Sequence, residues 1–332
     1  MNRSIAALSL IVVAVVLGLV ACAAGDDPGP LQPVVVAYSP FESSGLFLVA
    51  CDRQLFARHG LDVTLYRSDS GAAALDDMLN GQAELAVSVA EFPLVRAVLS
   101  GTSARAVATI DKAEYIYVVA RQDMGIAAPA DLAGKRIGAA AGSIAEFHLG
   151  RFLVLHGLSI HDVEHVSIPT PAEAADAGVN GELPVAVLAQ PYAAHAAGRL
   201  GANALVWPAQ SDQPLFALVV ATGEWLAEHP ERMVRFLRAL AEAEEYVSAH
   251  PAQARAIVQR WLDFDAEYAA TVWEQNQFLL SLDQALVAAM EDEARWLIAN
   301  QLIAPQPVPD FLDYIYRDAL ETVKPEAVNL LP

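Results

Sequence analysis

Hydrophobic and polar positions along the first third of the chain follow two patterns, one typical of strands and one typical of helices. Short apolar or β-branched runs predict strands at 34–38, 61–66, 85–89 and 106–110. Apolar residues at three- and four-residue spacing predict helices at 46–59, 70–79 and 92–99. Gly60 and Gly81 follow two of these helices, at positions suited to C-terminal caps.

The same alternation continues to about residue 221 and then changes. Further strands are predicted at 115–120, 163–168, 185–188 and 215–221, with a helix at 143–156. From Gly223 to the end the pattern is almost wholly helical, with boundaries at His229-Pro230 and His250-Pro251. Strands that alternate with helices predict an α/β protein with mostly parallel sheets and helices on both faces.

The N-terminus carries an export pattern. Arg3 is followed by an apolar run from Ile5 to Val20, which is short for a membrane-spanning helix and is typical of a secretory signal peptide. The run ends in Leu19-Val20-Ala21-Cys22, which resembles the bacterial lipobox, and this implies a lipid on Cys22. The polar, Gly- and Pro-rich stretch after Cys22 is predicted to be a flexible tether.

Charge and composition narrow the possible functions. The 332 residues include 20 Lys and Arg against 40 Asp and Glu, a formal net charge of −20. Such acidity argues against nucleic-acid binding and against docking on anionic lipid through basic patches. The length is sufficient for large cores without disulfides.

Few residues are arranged for chemistry. Cys22 and Cys51 make no disulfide framework, and Cys51 in an apolar helix is typical of a small buried side chain. The histidines form no tight metal-binding set, and no cofactor is predicted. A nucleophile elbow and a phosphate-binding loop are both absent from the sequence. We therefore expect a binding protein and not an enzyme.

Three stretches together resemble a known family. The first is 56–63, followed by Ser70-Gly71 and 80–86; the second is 131–138 with Gly142-Ser143; the third is 228–247. In this order they resemble the periplasmic binding proteins of nitrate, sulfonate, taurine and thiamine-pyrimidine-precursor importers. The sequence departs from that family at Glu84 and at Gly181-Glu182-Leu183-Pro184.

The resemblance implies a two-lobed type II binding-protein fold with a ligand in the cleft between the lobes. The predicted organisation is a signal peptide at 1–21, a lipid tether at 22–32, one lobe from 33–116 and 217–332, and a second lobe at 117–216. It also implies a monomer that delivers its ligand to ABC permease and ATPase subunits. The lobes are expected to close about segments near 114–117 and 212–216.

Ligands of parallel sheets bind outside the carboxyl ends of the strands, and this rule selects the predicted ligand-binding residues. They are Glu42, Ser43, Ser44, Ser70, Gly71, Ser88, Glu91, Asp111, Tyr115, Ser143, Gln190 and Tyr192.

Each type of candidate residue has two possible interpretations, one structural and one functional. The serines at helix N-termini either cap their helices or hold an acceptor group of a ligand. The carboxylates, with Glu114 and Glu146 nearby, either face solvent or hold an amine. Tyr38, Phe41, Tyr115, Tyr192 and Trp207 are either stacking walls or core. The predicted cleft loops contain no arginine, which disfavours a bare inorganic anion.

Two other functions are compatible with the sequence. One is an extracytoplasmic sensor whose ligand reports to a signalling partner. The other is a pyrimidine-synthase-like enzyme of the same superfamily, although the Cys-rich motif of that branch is missing here.

Overall fold

The computed structural model describes residues 30–140 and 142–331. Gln32–Pro332 forms one compact unit. The predicted signal peptide, Cys22 and most of the tether lie outside the described residues, so these remain predictions. Within the described residues, no helix is both long and apolar enough to cross a membrane.

The strands that the structure describes have these bounds: β1 (Gln32–Tyr38), β2 (Leu61–Arg67), β3 (Leu85–Ala90), β4 (Ala104–Ala113), β5 (Ile116–Arg121), β6 (Arg136–Ala140), β7 (Glu164–Ile168), β8 (Val185–Ala189), β9 (Ala204–Pro208), β10 (Leu215–Thr222), β11 (Asn276–Asp283) and β12 (Val328–Asn329).

The α-helices have these bounds: α1 (Gly45–Asp52), α2 (Leu55–Arg58), α3 (Gly71–Leu79), α4 (Glu91–Leu99), α5 (Ile144–Leu155), α6 (Pro171–Asn180), α7 (Tyr192–Leu200), α8 (Gly223–Glu228), α9 (Pro230–Ala249), α10 (Pro251–Leu262), α11 (Ala266–Trp273), α12 (Gln284–Ala299) and α13 (Asp318–Val323). A single 3-10 turn, Glu42–Ser44, leads into α1.

The strands form two sheets, one in each lobe. The larger sheet has the order β12-β11-β4-β10-β3-β1-β2 and the smaller has the order β7-β6-β8-β5-β9. The chain leaves the larger sheet after β4, builds the smaller sheet from β5 to β9, and returns at β10. This confirms the predicted two-lobed α/β fold. The exact lobe boundaries, 33–116, 117–216 and 217–332, stay a prediction.

The expectation of mostly parallel sheets was wrong. β1 is parallel to β2 and β3, but β10 is antiparallel to both β3 and β4, and β11 is antiparallel to β4. In the smaller sheet β5 is antiparallel to β8 and β9. β5 and β10 are the strands that enter after a crossing between lobes, and each arrives in the opposite direction to its neighbours.

Two helical predictions were also wrong. The helix expected at 46–59 is divided into α1 and α2, because Gln54 adopts a left-handed conformation with φ of 56°. The C-terminal region is not wholly helical, since β11 adds a strand to the larger sheet beside β4. Its apolar run, Phe278 to Leu282, shows no strict alternation, and its partner lies far away in sequence. The pattern alone could not identify it.

Glu84 has a structural role where the sequence departs from the family pattern. Its carboxylate accepts hydrogen bonds from the Val35 backbone N–H at 2.9 Å and from Trp225 Nε1 at 3.0 Å. Arg232 lies 3.5 Å from the same carboxylate. Glu84 therefore fastens α8 and α9 to the beginning of β1, away from the cleft.

The two lobes pack against each other through α5. On this helix Phe147 stacks on Phe92 of α4 with ring centroids 5.7 Å apart, and meets Trp296 of α12 edge-on at 5.5 Å. Gly150 lies directly under the Trp296 indole, where a Cβ atom would overlap the ring. Arg151 of α5 pairs with Asp292 of α12 at 3.5 Å. An aromatic contact with two buried phenylalanine rings and a partly buried indole thus joins the lobes beside the cleft.

Candidate functional site

A cavity lies between the lobes, at the edge where strands of both sheets end. About 590 Å³ of space lies within it, a volume that includes the open solvent at its mouth. Its lining residues come from strands, from the turns after them and from the first turns of helices: Phe41, Ser70, Gly71, Ala72, Ser88, Ala90, Pro93, Tyr115, Ile116, Ala140, Ser143, Ile144, Ala145, Pro171, Val187, Ala189, Leu215 and Ala217.

The twelve predicted residues divide into three groups around this cavity. Five of them line it: Ser70, Gly71, Ser88, Tyr115 and Ser143. Five more are buried close to that lining: Glu42, Ser43, Ser44, Glu91 and Asp111. Gln190 and Tyr192 are partly exposed and do not line the cavity.

The wall made by β3 and α3 depends on a close backbone approach. A Cβ atom on Gly71 would lie 2.5 Å from the Ser88 carbonyl oxygen. Ser88 itself has φ of 60°, a left-handed conformation that is uncommon for a residue other than glycine. Its carbonyl oxygen accepts a hydrogen bond from Ser39 Oγ at 3.1 Å. Strained backbone of this kind is concentrated at functional sites.

Three hydroxyl groups form a chain at one end of the cavity. The Tyr115 hydroxyl donates to Ser43 Oγ at 3.2 Å, and Ser43 Oγ lies 2.5 Å from Ser88 Oγ. Burial raises the pKa of Tyr115, so its hydroxyl is a neutral donor. Ser44 does not join the chain, because its Oγ donates to the Ser39 carbonyl at 2.6 Å. The cavity therefore ends in neutral hydroxyls that can both donate and accept.

Two carboxyl groups are buried behind these hydroxyls. Glu42 accepts a hydrogen bond from the Tyr268 hydroxyl of α11, while its second oxygen has no partner among the described residues. Neither oxygen of Asp111 has one there either, although the Gln277 and Lys112 backbones are close. Burial raises the pKa of both carboxyls, and for Asp111 the nearby Glu42 adds to the effect.

A second pair of carboxyls lies under α4. Glu91, the first residue of α4, accepts a hydrogen bond from the Phe216 backbone N–H at 2.9 Å. Its side chain is next to that of Glu293 from α12, and both are fully buried. Burial raises the pKa of Glu91 to about 7. Burial and the charge of Glu91 raise the pKa of Glu293 well above its ordinary value.

Helix N-termini also face the cavity. Ser70 caps α3, since its Oγ accepts a hydrogen bond from the Ala73 N–H at 3.1 Å. Ser143, before α5, does not cap that helix, and its Oγ donates to the Ala140 carbonyl at 2.9 Å. Glu146, in the first turn of α5, lies 3.5 Å from Arg96 and 3.7 Å from His165. The Glu146 carboxylate therefore neutralises part of the positive end of α5.

The remaining candidates lie elsewhere. Gln190 Oε1 accepts from the Ala194 N–H at 3.1 Å, within its own lobe. Tyr192 meets Phe41 edge-on across the lobes, with ring centroids 6.2 Å apart. Tyr38 packs on Phe47, Trp207 packs on Phe152, and Glu114 is exposed. Of the five proposed aromatic walls, only Phe41 and Tyr115 reach the cavity.

Sequence reasoning missed most of the apolar lining. Ala140 is the last residue of β6, a strand that the sequence analysis did not predict, whereas Pro171 follows β7, which was predicted at 163–168 without its following turn being selected. Leu215 and Ala217 belong to β10, whose antiparallel direction brings its beginning to the same edge. Ile144 and Ala145 carry no distinguishing signal, since an apolar first turn is also usual in core helices.

The described lining of the cavity contains no Asp, Glu, His, Cys, Lys or Arg side chain. Over residues 30–140 and 142–331, no group of three His, Cys, Asp or Glu side chains could hold a metal ion. His148 of α5 is fully buried, which lowers its pKa to about 3 and keeps the ring neutral. The one described cysteine, Cys51, is free and packs beside the core, and burial raises its pKa to about 12.

Comparison with known families and curated proteins gives a consistent result. The family model described as NMT1/THI5 like matches residues 42–254. A binding protein of Brucella abortus is 25% identical over 265 residues, which cover 75% of this chain and 77% of that protein. The predicted resemblance to the sulfonate- and pyrimidine-precursor-binding proteins is thereby confirmed.

Solved structures share the fold. The alkanesulfonate-binding protein SsuA of Xanthomonas axonopodis pv. citri, bound to MOPS, matches with a TM-score of 0.73 at 16% identity, over 87% of this chain and 99% of that one. The desulfurization enzyme DSZB matches with a TM-score of 0.63 at 16% identity, over 89% and 99%. At these identities the likeness shows the fold alone, and the fold occurs in binding proteins and in an enzyme.

Proposed function

The chain belongs to the NMT1/THI5-like family, and from this starting point we propose that it captures a small organic solute for an ABC importer. The observation that carries the proposal is the cavity between the lobes, with a mostly apolar lining and a few hydroxyls at one end. Pockets of this composition bind small molecules. The solute is proposed to be sulfonate- or taurine-like, or to resemble a thiamine pyrimidine precursor.

We propose that the protein binds its solute without transforming it. The described cavity lining offers hydroxyl groups but no thiol, imidazole, carboxylate or amine to act as a nucleophile or base. The curated relative is named as a binding protein. Turnover of any bound solute by the purified chain would contradict this part of the proposal.

Export and anchoring complete the proposed role. Removal of residues 1–21 would leave Cys22 as a lipidated N-terminus, with the folded part held near the membrane as a monomer beside its permease. We expect Cys22→Ser to move the protein from the membrane fraction to the soluble or unprocessed fraction. Unchanged membrane attachment would contradict lipidation at Cys22.

Closure about 114–117 and 212–216 is the proposed response to the solute. Tyr115 and Leu215 lie in these segments and also line the cavity. A solute that binds there would therefore contact both segments about which the lobes are proposed to close. A saturating solute should make the X-ray scattering curve more compact. Superimposable curves would contradict closure.

The proposal is tested by a thermal-shift screen with taurine, alkyl and aryl sulfonates, nitrate, thiamine, aminopyrimidines and riboflavin. A ligand at 100 times its dissociation constant adds about 2.7 kcal/mol to the free energy of unfolding. We expect at least one organic compound to raise the melting temperature, with nitrate inactive. A shift with nitrate alone would contradict the proposed solute class.

A further inference from the structure

The charges around the cavity restrict the solute further. Resting on the proposed solute-binding function, we propose that the cleft selects a small organic ligand with a protonated nitrogen directed at the Tyr115 end, and disfavours sulfonates and other anions of the same shape. The case rests on the neutral lining, the carboxyl groups behind it and the compensated helix ends.

The first step concerns what an anion would lack. Lys and Arg contribute no side chain to the described lining, so a sulfonate in the cavity would find no cationic partner there. The polar side chains of the described lining are the hydroxyl groups of Ser70, Ser88, Tyr115 and Ser143. A buried anion without a positive partner is costly, whereas hydroxyl oxygens readily accept N–H donors.

The second step concerns the charges behind the hydroxyls. Three buried carboxyls, Glu42, Asp111 and Glu91, are close enough to act electrostatically on the Tyr115 hydroxyl. Glu42 keeps one oxygen and Asp111 keeps both oxygens without a hydrogen-bond partner among the described residues. Unpartnered buried carboxyls are costly on their own, and a positive charge on the other side of the hydroxyl chain would stabilise their ionised forms.

The third step concerns the helix ends, which would otherwise attract an anion. α4 begins with the buried Glu91, and α5 has the buried Glu146 in its first turn. Glu91, whose pKa burial raises to about 7, offsets the positive end of α4 once it is ionised. Glu146 offsets the positive end of α5 but also pairs with Arg96 at 3.5 Å. Ser70 already occupies one N–H of α3. The three helix ends therefore attract an anion less than uncompensated helix N-termini would.

The experiment measures the charge preference of the cavity directly, without a known solute. In the full chain with Cys22→Ser, a cysteine replaces Ala189, which lines the cavity and is partly exposed. Its reaction rates with a cationic and an anionic alkyl methanethiosulfonate are compared as a ratio. Ala202→Cys, exposed on the same lobe, supplies the reference ratio. The parent chain gives the background of Cys51, whose raised pKa makes its thiolate scarce.

The rates are measured above the pKa of about 7 to which burial raises Glu91, so that at least this carboxyl is ionised. We expect the cationic-to-anionic ratio at position 189 to exceed that at position 202 by about tenfold, the size expected for one or two carboxylates acting across several ångströms. Glu42→Gln should reduce this excess severalfold while preserving the acceptor for Tyr268. Glu173→Gln, at an exposed position on the same lobe as Ala189, should leave it unchanged.

An equal ratio at the two positions, or a faster anionic reaction at 189, would overturn the charge preference. So would a Glu42→Gln variant that keeps the full excess. Either result would leave solute binding itself standing, because that is judged by the ligand screen. Binding of sulfonates in the screen would likewise contradict the charge preference while supporting the solute-binding function.

Discussion

Single residues set the geometry of the cleft wall. Gly71 and Ser88 are in contact through backbone atoms, and Ser88 holds a left-handed conformation to present its hydroxyl to Ser43. Glu91 and Glu293 form a buried acidic pair under the same wall. The close backbone approach, the left-handed residue and the buried acidic pair each cost stability locally. We therefore expect substitutions at these positions to change the free energy of unfolding measurably.

Gly71→Ala tests the close approach of α3 to β3. The new Cβ would lie 2.5 Å from the Ser88 carbonyl oxygen, which forces the helix away from the cavity. We expect a loss of about 1–3 kcal/mol in the free energy of unfolding, measured in urea, together with weaker solute binding. Gly198→Ala is the control, because a Cβ there meets open space in α7. It should be neutral or stabilising by up to about 1 kcal/mol.

Glu293→Gln tests the buried acidic pair through the pH dependence of stability. Burial raises the pKa of Glu91 to about 7 and that of Glu293 well above its ordinary value. The folded state therefore binds more protons than the unfolded state, and stability falls as the pH rises from the unfolded pKa through the folded one. Removing one acid should weaken this fall and add on the order of 2 kcal/mol above pH 7.

Urea midpoints measured across the pH range would show this change, with Glu173→Gln as an exposed control. The same fall in stability with pH in Glu293→Gln as in the unsubstituted chain would show that the pair does not titrate as described.

At the scale of elements, the local sequence pattern correctly predicted the strands and helices whose formation depends on a single segment of the chain. β1, β2 and β3 and the helices after β2 and β3 were predicted close to their observed bounds, since each is stabilised by its own apolar face. β11 and the antiparallel direction of β10 depend on partners more than 90 residues away in the chain. The sequence alone cannot show such pairings.

The contact of α5 with α4 and α12 is the clearest element-scale feature beyond the sheets. Trp296→Ala should cost about 3 kcal/mol, because the indole packs on Phe92, Phe147 and Gly150 from both lobes. Trp261→Ala provides the control, since that indole is also partly exposed and packs beside the core, but it donates to Asp52 within the lobe of the larger sheet. An equal loss of stability in the two variants would contradict a special role for the lobe contact.

At the scale of the whole molecule, the chain crosses between the lobes after β4 and returns before β10, and the cavity lies beside both crossings. The alternation of predicted strands and helices indicated the α/β class, and the family resemblance implied the two lobes. The strand-end rule found Ser70, Gly71, Ser88, Tyr115 and Ser143, but it could not distinguish them from Glu42 or Asp111, which follow the same rule and lie behind the lining. Whether a side chain lines the cavity or lies behind the lining depends on tertiary packing, which the local sequence pattern does not determine.

The central claim is that a small organic solute binds in this cavity. The most direct measurement is a calorimetric titration of the strongest compound from the screen into the unsubstituted protein, Ala189→Phe and Ala202→Phe. The added ring at position 189 would fill the cavity, whereas the one at position 202 would project from the exposed surface of the same lobe. We predict one site per chain, lost in Ala189→Phe and kept in Ala202→Phe. Undiminished binding by Ala189→Phe would place the solute elsewhere and contradict the account.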